Sequence, residues 1–328
     1  RRASAAEWPT GSVAFVAPRD RFDTALVDRA VAAGTELFAE HTAVAPIVNR
    51  GFVRGARVAG PSGTVELAAA YPLVADGANS RFGRALGTFR EPTWPHALAH
   101  RARYPSALHA ATEAELVVGL RDHAGVPVTG YAWMFPRGDG TVNIGVTVLS
   151  TSASFQVINP VRLLDAVVAE FTDEWRLEGE PVEPPAGGRI PMGASVGPLA
   201  GPTYLVAGDA GGMANPISAT GIEYALDTGM LAAEVLTEAL ATGSAAALQR
   251  YPRMLEDRHG TYFKVGRLAC RLVGNPTVNR RAARIASARR ASADAFVRLA
   301  ANQLRPGWGG AELLYRAGRA IAKVAPSA

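Results

Sequence analysis

The chain has 328 residues and a mass of 34.3 kDa, with 48% hydrophobic and 19% charged residues, which excludes a disordered polypeptide and predicts about two domains with buried cores. Its single cysteine, Cys270, excludes an internal disulfide framework and any zinc or iron–sulfur site built from several cysteines of the chain, and it fits a reducing cytoplasm. No run of about 18 apolar residues predicts a membrane-spanning helix, and no ligand spacing predicts a metal site.

Basic residues concentrate toward the C-terminal end. The net charge is +5, but residues 250–328 contain 16 Arg or Lys and four acidic residues, whereas the other 249 residues carry 18 bases and 25 acids. Such a region can face nucleic acid, anionic lipid or a phosphorylated cosubstrate. No zinc-finger spacing, aromatic RNA-binding strand or basic-region heptad accompanies it, so we expect no nucleic-acid partner and favour a membrane surface.

The first 90 residues are predicted to alternate short strands with two helical segments. A strand at 13–16 leads into a helix that follows Arg19, because apolar residues recur there at helical spacing. Residues 35–58 have a strand-like composition with breaks at Pro46 and Gly51. The other predicted elements of this part are a turn at 60–63, strands at 65–67 and 71–75, and a helical turn at 80–86.

Residues 91–190 alternate apolar and polar side chains between glycine-rich turns, which is typical of antiparallel strands. The predicted elements of this segment are strands at 116–120, 131–135 and 142–148 and a helix at 161–172. Farther along, 204–207 has the pattern of a buried strand, and 221–240 that of an amphipathic helix. Two or three basic helices follow.

One motif is a buried strand that ends in Gly208-Asp209 and leads to the long helix. This places a carboxylate at the carboxyl edge of a sheet, where open α/β sheets bind ligands, while free amides at the helix start favour phosphate. A bare Gly-Asp is more often only a turn and helix cap. The extended string Gly-Asp-Ala-x-x-x-x-Asn-Pro-x-x-x-x-Gly-Ile, which ends at Gly221-Ile222, is far more specific.

A second motif is Asp76-Gly77, which follows another predicted strand and precedes Ser80 and two arginines. Arginine can pair with phosphate through two hydrogen bonds, which favours a phosphate-binding interpretation. A capped helix start with solvated arginines explains the same residues equally well, so this segment alone leaves both interpretations open.

A third motif places Tyr131, Trp133 and Phe135 at alternate positions of one strand, and therefore on one face. Pro136, a Gly-Asp-Gly turn and Asn-Ile-Gly follow. An aromatic face of this kind can line an apolar cavity for a long hydrocarbon or cover a flavin ring. Ordinary sheet core is the alternative, and the strand pattern alone favours it.

In this order and spacing, the three motifs resemble the geranylgeranyl reductase family of FAD-dependent oxidoreductases, which share the fold of p-hydroxybenzoate hydroxylase. Within the family, the likeness is greatest to bacterial menaquinone reductases, which saturate an isoprene unit of menaquinone. The Tyr-x-Trp-x-Phe-Pro string is its most specific part. The resemblance implies an α+β or α/β fold, with 1–90 and 191–245 in an FAD-binding domain, 91–190 as an antiparallel-sheet substrate domain and 246–328 as a basic helical region.

The resemblance also implies roles for individual residues. The implied FAD-binding residues are Arg19, Asp76, Gly77, Gly208, Asp209, Pro216, Gly221 and Ile222. The implied lining of an isoprenoid pocket is Tyr131, Trp133 and Phe135, and NAD(P)H or another reductant is the implied electron donor. No catalytic acid is indicated, because the histidines at 96, 100, 109, 123 and 259 have no catalytic spacing and are expected in turns or at the surface.

Two departures from the family pattern count against full activity. The family reads Asn-Pro-x-x-Gly-Glu-Gly-Ile, whereas Ala219 and Thr220 stand at the glycine and the glutamate here, so we expect less room for the flavin and one polar anchor fewer. The family also opens with a Gly-x-Gly-x-x-Gly turn that binds the ADP part of FAD, and Arg1 stands about 90 residues into that pattern. We therefore expect a truncated chain that lacks the first βαβ unit and binds FAD poorly.

The implied reaction is reduction of a C=C bond in the prenyl chain of menaquinone or a geranylgeranyl lipid. The alternatives are an FAD-dependent aromatic monooxygenase of the same fold group and a non-catalytic remnant without FAD. We expect a cytoplasmic protein that contacts the inner face of the cell membrane through a basic helix, although ordinary packing of that helix is an equal alternative. The apolar residues of this helix are Tyr262, Phe263, Val265, Leu268, Leu272 and Val273.

Overall fold

The computed structural model describes residues 16–122, 124–286 and 288–300, together with residues 316 and 320. These residues form two compact units. The first unit contains the described residues up to Ala39, Leu98–Gly188 and Val273–Asp294, and the second contains Glu40–Ala97, Arg189–Leu272 and the described residues beyond Asp294.

The described helices, in chain order, are α1 (Arg19–Ala32), α2 (Arg81–Ala85), α3 (Pro160–Phe171), α4 (Ile222–Thr242), α5 (Tyr251–Leu255), α6 (Thr261–Val273), α7 (Pro276–Ala286) and α8 (Arg290–Ala300). The described strands are β1 (Thr42–Asn49), β2 (Phe52–Gly60), β3 (Gly63–Ala68), β4 (Leu73–Val74), β5 (Phe89–Arg90), β6 (His96–Pro105), β7 (Glu115–Val118), β8 (Gly130–Pro136), β9 (Thr141–Leu149), β10 (Ala186–Pro191), β11 (Val196–Gly197) and β12 (Leu205–Val206).

The first unit is built on a five-stranded sheet in the order β10-β6-β9-β8-β7. β8 pairs antiparallel with both β7 and β9. Helix α3 starts at a cap in which the Asn159 side chain accepts hydrogen bonds from the N–H groups of Val161 and Arg162. The helix then buries Leu164 and Phe171 in the core, where Phe171 stacks on the fully buried Trp175.

The second unit combines a three-stranded antiparallel meander, β1-β2-β3, with a short parallel pair, β4 and β12. Its core forms around α4, α5 and α6, because each helix turns its apolar stripe inward. Tyr224, Val235, Tyr251 and Phe263 are among the buried side chains of this core. Helix α4 ends at Gly243, whose φ of +67° is the left-handed conformation that stops a helix.

Most predicted elements of these units are present, including the turn at 60–63, the hairpin of β8 and β9, and the helices α3 and α4. The predicted break at Pro46 is wrong: β1 continues through Pro46, which lies opposite Ala56. An edge strand tolerates proline because no partner needs its missing N–H group. The strand predicted at 71–75 is only the two residues of β4. Residues 13–15 and 305–310 lie outside the described residues.

The apolar face predicted to contact a membrane through α6 is wrong for its central residues. Tyr262, Phe263 and Val265 are buried in the core of the second unit. Ordinary packing, the other interpretation of this helix, is therefore what the structure shows for α6.

Candidate functional site

Two aspartates of the motifs follow the carboxyl ends of one parallel strand pair. Val206 of β12 lies opposite Val74 of β4, and the N–H group of Ala207 donates to the carbonyl of Val74 at 2.9 Å. Asp76 follows β4 by two residues, and Asp209 follows β12 by three. Because the strands are parallel, both carboxylates lie beyond their carboxyl ends, the position at which α/β sheets bind ligands.

The Asp76 turn leads directly into α2. The Asp76 carboxylate accepts a hydrogen bond from the N–H group of Phe82 at 3.3 Å, and the Ser80 hydroxyl accepts one from Gly83 at 2.9 Å. Gly77 has a φ of +82°, with open space where a Cβ atom would stand. The capped helix start considered for this segment is therefore present, and Asp76 remains exposed while it caps.

The segment Gly208–Gly211 is a tight 3-10 turn. Gly208 and Gly212 have φ values of +59° and +66°, a left-handed conformation that favours glycine. A Cβ atom at Gly221 would lie 3.1 Å from Oδ1 of Asp209. The Asp209 carboxylate thus lies beside the start of α4, and glycine at 221 leaves room for it.

Helix α4 begins at Ile222, whose side chain is 47% exposed, and its N-cap residue, Gly221, has no side chain that could cap it. A helix N-terminus carries a partial positive charge and offers free amides to an anion. Together with the Asp209 carboxylate, which can accept hydrogen bonds from hydroxyl groups, this end of the second unit can hold a polyhydroxylated phosphate compound.

A buried asparagine fixes the loop 215–221 that precedes α4. The side-chain oxygen of Asn215 accepts hydrogen bonds from the N–H groups of Ile217 and Ser218 at 2.8 and 3.2 Å. Its amide nitrogen donates to the hydroxyls of Tyr224 and Tyr262 at 3.3 and 3.1 Å. One side chain therefore connects the loop to both α4 and α6.

The same loop packs closely on α6 through Pro216. A Cβ atom added at Gly266 would lie 2.3 Å from Cγ of Pro216, so glycine permits this approach. The buried Cys270 donates a thiol hydrogen bond to the Pro216 carbonyl, and burial raises the pKa of this thiol to about 12. Cys270 is thus a buried free thiol that helps hold the loop on α6.

In the first unit, the motif aromatics lie on the face of β8 opposite the hydrophobic core. Ala132 and Met134, at the intervening positions, are buried in that core. Tyr131, Trp133 and Phe135 are half-buried, with ring centroids 5.9 Å apart for the first pair and 6.1 Å for the second. We call these three residues the aromatic ladder. The sheet-core alternative does not describe them, because the core is on the other face.

Strand β9 holds the aromatic ladder in place. Nε1 of Trp133 donates to Oδ1 of Asn143 at 3.4 Å. A Cβ atom at Gly145 would lie 2.1 Å from the Trp133 ring, so the indole lies directly on this glycine. Burial raises the pKa of Tyr131 to about 12, while its hydrogen bond with Thr147 acts in the opposite direction. The Asn-Ile-Gly string thus serves to seat Trp133.

Known proteins share both the sequence and the fold. No family model matches the chain. It is 37% identical over 207 residues to a menaquinone reductase of Mycolicibacterium smegmatis, covering 62% of this chain and 49% of that protein. It is 31% identical over 242 residues to a digeranylgeranylglycerophospholipid reductase of Methanosphaerula palustris, covering 73% of this chain and 58% of that protein.

The solved structures that match include a geranylgeranyl bacteriochlorophyll reductase-like protein from Thermoplasma acidophilum. Its TM-score is 0.73 at 21% identity, over 92% of this chain and 75% of that chain. The chain is homologous to the geranylgeranyl and menaquinone reductases. A flavin-dependent brominase shares the fold, with a TM-score of 0.65 at 17% identity over 94% of this chain and 76% of that chain.

The family resemblance and the fold class predicted from the motifs are therefore confirmed. The chain spans about half the length of the menaquinone reductase it matches. No described helix is both long and apolar enough to cross a membrane. Within the described ranges, no group of three or more His, Cys, Asp or Glu side chains is placed to hold a metal ion.

At the departure from the family string, backbone hydrogen bonds close the loop 215–221. Ala219, where the family has glycine, has a φ of +58°. Its N–H group donates to the carbonyl of Asn215 at 2.9 Å, and the N–H group of Asn215 donates to the carbonyl of Thr220 at 2.7 Å. The loop is thus closed although neither Ala219 nor Thr220 is the family residue.

Several notable side chains had no sequence signal. His259 is buried and lies 2.6 Å from Asp227, which also pairs with Arg258 at 2.6 Å. Burial lowers the pKa of His259, and Asp227 acts in the opposite direction. The expectation of a surface or turn histidine is wrong for His259 and for His96, which is also buried. For His259 the reason is that a contact partner 32 residues away leaves no local pattern.

The contacts of Arg267 have no sequence signal either. Its guanidinium lies 3.8 Å from the ring centroid of Trp94 and donates to the carbonyl of Gly193. Burial lowers the pKa of Arg267 to about 10, and Glu256 acts in the opposite direction. Trp94, Glu256 and Arg267 are among the residues that line a cavity of about 70 Å³ in the second unit. Arg19, an implied FAD residue, lies on α1 of the first unit and pairs with Asp23 at 2.9 Å.

Proposed function

We propose that the chain is part of an FAD-dependent reductase that saturates a C=C bond in the prenyl chain of an isoprenoid lipid, either menaquinone or a geranylgeranyl lipid. The observation that carries this proposal is the aromatic ladder, three half-buried aromatic side chains on the face of β8 away from the core. Relatives named menaquinone reductase and digeranylgeranylglycerophospholipid reductase support the same substrate class.

The strand ends of the second unit fit an FAD molecule. Open space beside Gly77 admits a ligand close to the backbone, and the left-handed turn at Gly208 leads into Asp209, which lies next to the start of α4. The Asp209 carboxylate suits the hydroxyl groups of the ribityl chain, and the start of α4 suits a phosphate. The residues proposed to hold FAD are Arg19, Asp76, Gly77, Gly208, Asp209, Pro216, Gly221 and Ile222.

When bound, FAD would supply hydride to one carbon of the double bond after reduction by NAD(P)H or another reductant, and an acid that the sequence does not identify would supply the proton to the other carbon. The residues of the chain orient the lipid and exclude water. The aromatic ladder gives the prenyl chain a flat apolar surface, and Trp133 is fixed on that surface by Asn143 and Gly145. Tyr131 is protonated at neutral pH, as a tyrosine of ordinary pKa would be, and burial raises its pKa further, to about 12.

We further propose that the reductase works in the cytoplasm at the inner face of the cell membrane. Its prenyl substrate dissolves in the bilayer, so the protein must reach the lipid there. The basic C-terminal region supports this location, since anionic lipid attracts Arg and Lys.

Titration of the purified chain with FAD, followed by quenching of flavin fluorescence, tests the cofactor. Asp209→Ala is expected to weaken FAD binding about ten-fold or more, because a charge-assisted hydrogen bond is lost. Asp28→Ala, which removes an exposed carboxylate on α1, is the matched control and should bind like the parent chain. Equal binding by Asp209→Ala and the parent would contradict the proposed FAD site.

The reaction is tested by incubating the FAD-loaded chain with menaquinone and dithionite, followed by mass spectrometry of the lipid. The expected product carries two more hydrogen atoms in its prenyl chain. Trp133→Ala should lower the yield about ten-fold without changing FAD binding.

Two other outcomes would favour the alternatives. Lipid binding without FAD binding would indicate the non-catalytic remnant, and oxygen insertion into a phenol with NADPH consumption would indicate the aromatic monooxygenase.

A further inference from the structure

One face of α7 exposes apolar side chains among arginines. Ile285 is 65% exposed and Val278 is 39% exposed. Arg281 lies between them in sequence at helical spacing, so the three side chains share one face of the helix. We call Val278, Arg281 and Ile285 the α7 face.

The opposite side of α7 is attached to the first unit. The amide nitrogen of Asn279 donates to the carbonyl of Val128 at 3.3 Å. The side-chain oxygen of Asn275 caps the helix by accepting from the N–H groups of Thr277 and Val278 at 2.9 and 3.4 Å. This attachment fixes the rotation of α7, so the α7 face is directed to solvent by the fold.

The charged residues on α7 and next to it in sequence have one sign. Residues 258–293 contain nine Arg or Lys and no Asp or Glu. Arg280, Arg281 and Arg284 lie on α7 itself and are exposed. A helix with apolar side chains in the middle of its exposed face and arginines beside them matches a surface that is anionic outside and apolar a few ångströms below.

We propose that the α7 face is the surface by which this chain docks on an anionic lipid bilayer, with Ile285 and Val278 entering the acyl boundary and the arginines pairing with lipid phosphates. This deepens, and rests on, the membrane contact proposed above. A bilayer is favoured over nucleic acid because a phosphate backbone alone gives no reason to expose Ile285 and Val278 in the centre of the basic face.

Co-sedimentation of the full chain with vesicles tests the proposal. Vesicles of equal parts phosphatidylcholine and phosphatidylglycerol are expected to bind the chain, and vesicles of pure phosphatidylcholine are expected to bind it at least ten-fold less. Arg281→Gln should lower the partition coefficient about five-fold and Ile285→Ser about ten-fold. Added salt should weaken binding of the unmodified chain to the anionic vesicles, a readout that needs no variant.

A matched control is available on α1, which is also exposed but carries Asp20, Asp23 and Asp28. The double variant Val27→Ser/Arg29→Gln makes the same chemical changes there and should bind vesicles like the parent. The proposal is overturned if Arg281→Gln/Ile285→Ser binds as well as the parent, if the α1 variant loses as much, or if the chain binds a DNA duplex and not the vesicles. Vesicle binding needs neither FAD nor turnover, so its failure is distinguishable from failure of the reductase proposal.

Discussion

Ala219 holds a backbone conformation that glycine adopts without strain. Its φ of +58° is in the left-handed region, which costs a residue with a Cβ atom about 1–2 kcal/mol. Replacing Ala219 by glycine would remove this cost, but part of the stabilisation would be offset because glycine raises the conformational entropy of the unfolded chain. We therefore predict that Ala219→Gly raises the free energy of unfolding by up to about 1 kcal/mol, seen as a higher urea midpoint at an unchanged slope.

The control for Ala219→Gly is Ala233→Gly, at an exposed position in the middle of α4. There the same substitution meets ordinary helical geometry and should lower the free energy of unfolding by about 1 kcal/mol. If both variants lost stability equally, the left-handed conformation at 219 would not be strained.

His96 makes the stability of the second unit depend on pH. Burial, with Arg90 and Arg189 nearby, lowers its pKa from 6.5 to about 4. Between these two values the unfolded chain binds a proton that the folded chain does not, so stability is full above pH 6.5 and is lost as the pH falls toward 4. At about 1.4 kcal/mol for each pKa unit, we predict a loss of up to about 3 kcal/mol from this residue.

Urea unfolding at a series of pH values checks the His96 prediction. The variant His96→Gln should show a shallower loss of stability than the parent between pH 7 and pH 4, and the same slope between pH 7 and pH 9. Parallel curves over the acidic range would show that His96 titrates alike in the folded and unfolded chains.

Some properties of single residues could be predicted from the sequence and others could not. The aromatic ladder was predictable because period two puts Tyr131, Trp133 and Phe135 on one face, but which face meets the core depends on the rest of the sheet. The pairing of His259 with Asp227 joins residues 32 positions apart, and nothing in the spacing indicates it. Contacts between distant segments are set by packing, which the local pattern does not encode.

At the scale of elements, the approach of the loop 215–221 to α6 can be tested with two glycines in helices. Gly266 of α6 has no room for a Cβ atom, which would lie 2.3 Å from the Pro216 ring, whereas Gly229 of α4 has nothing within 4 Å. Alanine usually stabilises a helix by about 1 kcal/mol relative to glycine. We predict that Gly229→Ala raises the free energy of unfolding by about that amount and that Gly266→Ala lowers it by at least as much.

Urea unfolding of the two glycine variants measures the difference, and the FAD titration adds a second readout. Because Gly266→Ala displaces Pro216, a proposed FAD residue, it should also weaken FAD binding, whereas Gly229→Ala should leave it unchanged. Gains in stability by both variants would mean that α6 and the loop separate at little cost.

Elements with a strong local pattern were predictable from sequence. β8, β9 and α3 alternate or repeat with the period of their structure. In β8, however, the core lies on the face of Ala132 and Met134 and not on the aromatic face that the pattern alone favours. Pro46 was misread because a proline disrupts a central strand but not an edge strand, and strand order is a tertiary property. β4 is shorter than predicted because only Leu73 and Val74 find partners on β12.

For the whole molecule, the candidate site is assembled from segments far apart in the chain. Asp76 and Asp209 were identified by motifs, but their common edge follows from the parallel pairing of β4 with β12, a contact across more than a hundred residues. Which residues take part in binding stays a prediction from the family string. Only the fold shows that Asp209 lies beside Gly221 and that Asn215 connects the loop to two helices.

Hydrogen exchange on the intact chain tests whether FAD binds in the second unit and the prenyl lipid in the first. All the proposed FAD residues except Arg19 lie in the second unit. At FAD concentrations about a hundred times the Kd, binding stabilises the folded chain by about 2.7 kcal/mol, enough to slow exchange by up to about a hundred-fold at amides that open with the site. We predict the largest slowing in 75–80 and 208–225, with slowing on α1 only if Arg19 also takes part.

A prenyl lipid should instead slow exchange most in β8 and β9. If FAD protected β8 and β9 while 208–225 exchanged as before, the cofactor site would not be at the ends of β4 and β12, and the aromatic ladder would be the place to look for the flavin.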